Sequence, residues 1–170
     1  MADRERPVDP GEFDQFYQAA YGRLVGQLLV VTGNLADAED VVQEAFLRAL
    51  ARWPALRRYE APELWVRRVA LNLAISGFRR ARRQLAVLLH LSGRPAAVPV
   101  SAGTTEVIEL LRQVPIALRS VLLLHYVLDL PVEEVAHQLG LRASTVRGRL
   151  ARARARLAEV ERSAVAHDRP

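Results

Sequence analysis

The chain has 170 residues, and 51% of them are hydrophobic, enough to bury a core. The absence of cysteine excludes disulfides and thiolate metal sites, and no apolar run approaches the ~20 residues that a membrane helix needs. Net charge is +5, the sequence pI is near 10.6, and all 24 basic residues are arginine, whose planar guanidinium suits bidentate contact with phosphate and guanine.

Residues 1–11 are polar, with two prolines and a glycine, and read as a flexible, charged start without a signal peptide. Phe13, Phe16, Tyr17, Ala20, Leu24, Leu28 and Val31 then recur at three- and four-residue steps, which predicts one face of a helix stopped at Gly33. Asn34, with Asp37 three residues on, predicts the cap of a second helix. Val41, Val42, Ala45, Phe46, Ala49 and Leu50 form its apolar side, and the stretch 35–44 carries Asp37, Glu39, Asp40 and Glu44 with no base. Trp53-Pro54 is expected to end it, and a loop over 55–62 holds Arg57, Arg58 and Tyr59.

A third helix is expected from about Glu63 to Arg83, with Leu64, Trp65, Val69, Leu73 and Phe78 on its apolar face. The stretch 67–83 holds six arginines and no acid: Arg67, Arg68, Arg79, Arg80, Arg82 and Arg83. Trp65 reads as core, and Tyr59, in the loop, as the better stacking surface. Residues 85–91 (LAVLLHL) either continue this helix or form an apolar surface that a partner covers.

Residues 93–104 are rich in proline, glycine and small side chains and read as a linker between two small helical domains, 12–92 and 105–160. Helices are expected over 105–114 and 115–128. The stretch 130–157 then shows a short helix opened by Pro131, Glu133 and Glu134, a turn at Gly140, and a second helix with Arg147, Arg149, Arg152, Arg154 and Arg156. Val135, Leu139, Leu141, Val146 and Leu150 supply the apolar positions that lock two such helices together. This is a helix-turn-helix with a basic reading helix, and it points to duplex DNA. Residues 161–170 read as a frayed tail. The fold class is therefore all-α, two small helical domains joined by a flexible linker, the second carrying the helix-turn-helix.

His90, His125, His137 and His167 lack metal-ligand spacing, and no nucleophile triad or carboxylate pair stands out. The residues thus suggest a cytoplasmic binding protein, not an enzyme, with no cofactor and no membrane insertion. A reading helix alone leaves a free-standing dimeric helix-turn-helix regulator open.

Three segments, AEDVVQEAFLRAL (38–50), WVRRVALNLAISGFRR (65–80) and VPIALRSVLLLHYVLDLPVEEVAHQLGLRASTVRGRLARARARL (114–157), resemble an extracytoplasmic-function sigma factor of bacterial RNA polymerase, in the right order over roughly 12–158. The resemblance implies that the first domain is sigma region 2. Its Glu39, Asp40, Gln43 and Glu44 would dock on the clamp helices of the polymerase's largest subunit. Arg57, Arg58, Tyr59, Arg67, Arg68, Asn72, Arg79 and Arg80 would open and hold the promoter −10 element, arginines and a stacking surface offsetting the unpairing of the duplex. The second domain would be sigma region 4, near the flap of the second-largest subunit. It would read the −35 element through Ser144, Thr145, Arg147, Gly148, Arg149 and Arg152, with Arg147 and Arg152 reaching base edges and Arg149, Arg154 and Arg156 left to backbone or solvent. The family resemblance also makes an anti-sigma inhibitor an expected partner. Gly148 departs from the serine usual in relatives, which removes one side chain from the reading face.

Overall fold

The computed structural model describes residues 10–92 and 106–167, so the expected linker lies outside the described residues, as do the side chains of Arg79 and of residues 81–92. Helix α1 spans Pro10–Thr32, α2 Leu35–Leu50, α3 Trp53–Leu56, α4 Pro62–Ser92, α5 Glu106–Arg112, α6 Ile116–Leu122, α7 Val132–Leu139 and α8 Ala143–His167. There is no strand among the described residues.

The α1–α2 junction is set locally. Gly33 takes a positive φ of 73° and donates its N–H to the Leu29 carbonyl at 2.8 Å, which ends α1. Asn34 Oδ1 then accepts from the Ala36 and Asp37 amides at 2.8 and 3.3 Å and caps α2. These two residues reverse the chain and press α1 against α2. Ala20, Leu24, Leu28 and Val31 of α1 meet Ala38, Val42, Ala45, Phe46 and Ala49 of α2, all buried. Each fully buried leucine contributes about 1.5–3 kcal/mol relative to exposure. At one end, aromatic rings close the core: Phe16 stacks on Trp53 at 5.1 Å, and Phe13 meets the same indole edge-on at 5.2 Å.

Several boundaries differ from the sequence reading. Trp53-Pro54 does not close α2; α2 stops at Leu50, and Trp53, itself buried, starts the one-turn α3 with Pro54 in its first turn, where the missing N–H has no cost. Helix α4 runs on to Ser92, past the expected end at Arg83, so 85–91 continue the helix. Its buried stripe is Val66, Arg67, Ala70, Leu71 and Ala74, while Leu64 and Phe78, expected on the core face, are exposed. The tail is no frayed end up to His167, because α8 continues through it. Pro131 precedes α7 as its cap, with Val132 as the first helical residue.

Between α6 and α7 the backbone widens into a π-helical turn over Leu123–Val127, with the Leu128 amide bonded to the Leu123 carbonyl at 3.0 Å. Asp129 follows at a φ of 51°, a left-handed conformation that aspartate tolerates better than most residues. The turn aims α7 back across the molecule.

The two halves do not sit apart. Ile116, Val121, Leu123, Leu124, Val135, Ala136, Val146 and Leu150 of the second half join the buried cluster of α1, α2 and α4. Val114, Leu122 and Ala153 form a smaller cluster inside the second half, with Leu111, Leu118 and Leu157 packed on it.

Candidate nucleic-acid interface

Helices α7 and α8 form the expected helix-turn-helix. Gly140 sits at φ 63°, and the Leu141 amide reaches back to the Ala136 carbonyl at 2.8 Å, closing the turn. Val135, Ala136, Val146 and Leu150 are buried between the helices. On the outer side of α8, Ser144, Arg147, Gly148 and Arg152 are exposed, and Thr145 and Arg149 are half-buried. Arg147 pairs with Glu133 of α7 at 2.7 Å, with both side chains largely in solvent, so the pair contributes at most about 1 kcal/mol and yields readily to a phosphate or a guanine. Arg152 Nε donates to the Gly148 carbonyl at 3.3 Å. Arg154 turns to the Tyr126 hydroxyl at 3.5 Å, and Arg156 to the Gln113 carbonyl and Glu159. Both therefore serve the domain's own surface.

The arginines expected on the −10 element divide into two groups. Arg67 is a correction. It is 8% exposed on the buried stripe of α4, with Nε donating to Gln27 at 2.9 Å and Nη2 to Glu63 at 3.3 Å. Burial lowers its pKa, and the Glu63 carboxylate opposes that shift. Glu63 also accepts from Arg23 Nε at 3.1 Å, and the hydrogen bond from Arg23 is the main cause that holds the Glu63 carboxyl below its usual range. Arg67 ties α4 to α1 and is not free to meet DNA. Arg57 is engaged in a similar way: Nη1 pairs with Glu12 of α1 at 2.9 Å, which pins the loop after α3 to the first helix.

The remaining residues form a surface. Arg68, Asn72 and Arg80 are exposed at steps of four and eight residues along α4, a stripe about 18 Å long at 1.5 Å rise per residue. Arg58 and Tyr59 are exposed at the end of the preceding loop, Tyr59 at 55%. Trp65, expected in the core, is only half-buried. It packs against the core from outside, with the Arg52 guanidinium over its ring at 5.8 Å.

A third surface lies on α2. Glu39, Asp40 and Gln43 are exposed, and Glu44 is half-buried with Arg48 at 2.8 Å. Leu47 and Leu50, at 57% and 51% exposure, extend the same stripe. Neither leucine was expected there. Their departure from the buried phase of Val42, Ala45, Phe46 and Ala49 is the signal that marks them. Among the described residues no group of three metal-ligating side chains comes together, and no helix is long and apolar enough to cross a membrane.

Comparison with known proteins places the chain in a family. Residues 16–84 match the Sigma-70 region 2 family and residues 104–157 match Sigma-70 region 4. The chain is 32% identical over 157 residues to the probable RNA polymerase sigma factor RfaY of Xanthomonas campestris pv. campestris, spanning 81% of this chain but only 39% of that protein. It is 27% identical over 150 residues to the RNA polymerase sigma-E factor of Streptomyces coelicolor, covering 87% of this chain and 85% of the relative. With the extracytoplasmic-function sigma factor SigW of Bacillus subtilis it shares 26% over 157 residues, 83% and 80% of the two chains. In fold it resembles the sigma factor RpoE of Bartonella quintana, solved in complex with the anti-sigma factor NepR, with a TM-score of 0.66 at 20% identity over 89% of this chain and 97% of that one. The chain belongs to the extracytoplasmic-function group of the sigma-70 family.

Proposed function

We propose that this chain is a promoter-specificity subunit, which binds core RNA polymerase and directs initiation by reading a −35 duplex and opening a −10 element. The observation that carries the reading is the presence, on one chain in family order, of an acidic docking stripe, an arginine stripe beside an exposed tyrosine, and a helix-turn-helix. A dimeric regulator needs only the last of these.

Each surface takes one role. Glu39, Asp40, Gln43 and Glu44, with Leu47 and Leu50 beside them, offer acids and apolar area to a basic, partly apolar helical partner on the polymerase. Arg58, Tyr59, Arg68, Asn72 and Arg80 hold the opened strand: guanidinium groups take phosphates, and the phenol ring gives a base a stacking surface worth ~1–3 kcal/mol. Arg57 and Arg67 position that surface through α1. Ser144, Thr145, Arg147, Gly148, Arg149 and Arg152 face the duplex; the exposed amides at the start of α8 favour a phosphate, and a bidentate arginine–guanine contact gives ~1–3 kcal/mol of discrimination. The chain performs no bond chemistry in this reading, and it acts where the polymerase acts, in the cytoplasm, with an anti-sigma protein as a natural antagonist. Permanganate footprinting of genomic promoter fragments with core polymerase tests it. Unpaired thymines should form about ten base pairs upstream of the start, one turn of duplex, only when the chain is added.

A further inference from the structure

Helix α4 begins with two apolar residues that the core does not cover. Leu64 is 39% exposed, Trp65 is half-buried, and Tyr59 stands beside them at 55% exposure. A cleft of about 390 Å³ separates these three side chains from Glu134 and Gln138 of α7. That volume falls within the ~300–1,000 Å³ of small-molecule sites, which combine apolar walls with a few convergent polar groups.

The polar groups of the cleft are not satisfied by the chain itself. Glu134 and Gln138 stand one turn apart on α7, and Gln138 Nε2 donates to Glu134 Oε1 at 3.1 Å. This bond fixes the amide, because the flipped orientation would set its oxygen against a carboxylate oxygen. Gln138 is 4% exposed, and its Oε1 is left buried with no donor among the described residues. A buried acceptor without a donor is costly, and a donor brought in by a ligand removes that cost. Charges of both signs line the cleft as well. Glu60 and Glu134 bring carboxylates and Arg68 brings a guanidinium, and none of the three makes an ion pair among the described residues. The Arg68 guanidinium lies by the turn that follows α7, 3.8 Å from where a Cβ on Gly140 would stand. Glu134 and Gly140 are six residues apart, about 9 Å along the helix axis. The cleft therefore has an anionic end, a cationic end and an apolar wall.

We propose that this cleft binds a small amphoteric aromatic molecule, with an amine at one end of a flat ring and an acid at the other. The amine faces Glu134 and the Gln138 oxygen, and Glu60 adds to the negative field around it. The ring lies against Tyr59, Leu64 and Trp65, and the acid meets Arg68. Tyr59 and Arg68 also hold the opened strand in the sigma-factor reading, so ligand and strand exclude each other. That consequence rests on the sigma-factor reading, whereas the site does not.

The test titrates the full chain with para-(aminomethyl)benzoate, which carries both ends, and with para-methylbenzylamine and para-toluate, which keep one end each. Ligand-observed NMR reads the binding. The first molecule should saturate one site and bind about tenfold tighter than either of the others. Glu134→Gln should abolish its advantage over para-toluate, and Arg68→Met its advantage over para-methylbenzylamine. Leu64→Arg blocks the cleft from an exposed position and should remove binding; His137→Arg, exposed on the opposite wall, blocks it if Leu64→Arg does not fold. No saturable binding to wild type, equal binding of the three molecules, or binding that the blocking variants retain overturns the proposal. At ten times its Kd, para-(aminomethyl)benzoate should also weaken binding of a fluorescein-labelled random single strand of about 12 nucleotides roughly tenfold. Run-off transcription by core polymerase with the wild-type chain separates the two readings. Failure there defeats the sigma-factor assignment and leaves the NMR result standing. Strand binding unchanged at saturation, in a chain that supports run-off transcription, overturns the placement of the ligand over Tyr59 and Arg68.

Discussion

Replacing Arg67 with methionine separates a structural arginine from a DNA-binding one. The guanidinium is buried and makes two hydrogen bonds, to Gln27 and to Glu63. Hydrogen bonds to charged groups contribute about 1.5–3 kcal/mol each, but removing this side chain also removes its own desolvation cost, and Glu63 keeps Arg23 as a partner. Methionine retains most of the apolar stem. The expected net loss is therefore about 2 kcal/mol, a fall of roughly 4–8 °C in Tm for a chain of this size. Arg68→Met, on the exposed side of the same helix, should change stability by less than about 0.5 kcal/mol. Urea unfolding and the salt dependence of single-strand binding read the two effects. Arg68→Met should reduce the salt slope by about one contact, and Arg67→Met should leave it unchanged. An Arg67→Met chain of wild-type stability with a reduced salt slope would refute the division made here.

Other expectations follow from the same geometry. Arg147→Ala combined with Arg152→Ala should abolish −35 selectivity, about 1–3 kcal/mol per lost base contact, while co-elution with core polymerase stays intact; loss of both would show that the second domain carries the docking. Gly148 lies in the exposed face of α8 with nothing within 4 Å of an added Cβ, so Gly148→Ala should raise stability by about 0.5–1 kcal/mol in thermal unfolding. Glu63 has a folded-state pKa below its unfolded value. Its contribution is therefore complete above the unfolded value and is lost as pH falls through the folded one. Glu63→Gln should accordingly be less stable than wild type at pH 7, and the difference should shrink in acid, as measured by urea midpoints across that range.

What the sequence revealed depends on how local the cause was. The stop at Gly33, the cap at Asn34 and the turn at Gly140 rest on one or two residues with special backbone or hydrogen-bonding capacity, and all three stand where they were expected. The phase of α4 was read wrongly because its core face is interrupted by an arginine. Leu64 and Phe78 drew the apolar stripe to one side, whereas Val66, Ala70, Leu71 and Ala74 define the buried side with Arg67 among them. Ala70, Leu71 and Ala74 lie three, four and seven residues beyond Arg67, a spacing that puts Arg67 on the buried side. The seam between the halves was not legible at all. Arg119 and Gly33 meet across 86 residues of chain, and nothing near either one in sequence announces the other. The runs of apolar residues over 116–124 showed only that a helix there is buried, not what it is buried against.

The most direct test of the central claim is run-off transcription by core RNA polymerase on genomic fragments, with and without this chain. The account predicts new transcripts with defined starts that appear only when the chain is added and disappear with Arg147→Ala plus Arg152→Ala. Tight duplex binding by the chain alone, with no transcript dependent on it, would contradict the account and return the helix-turn-helix to a free-standing regulator.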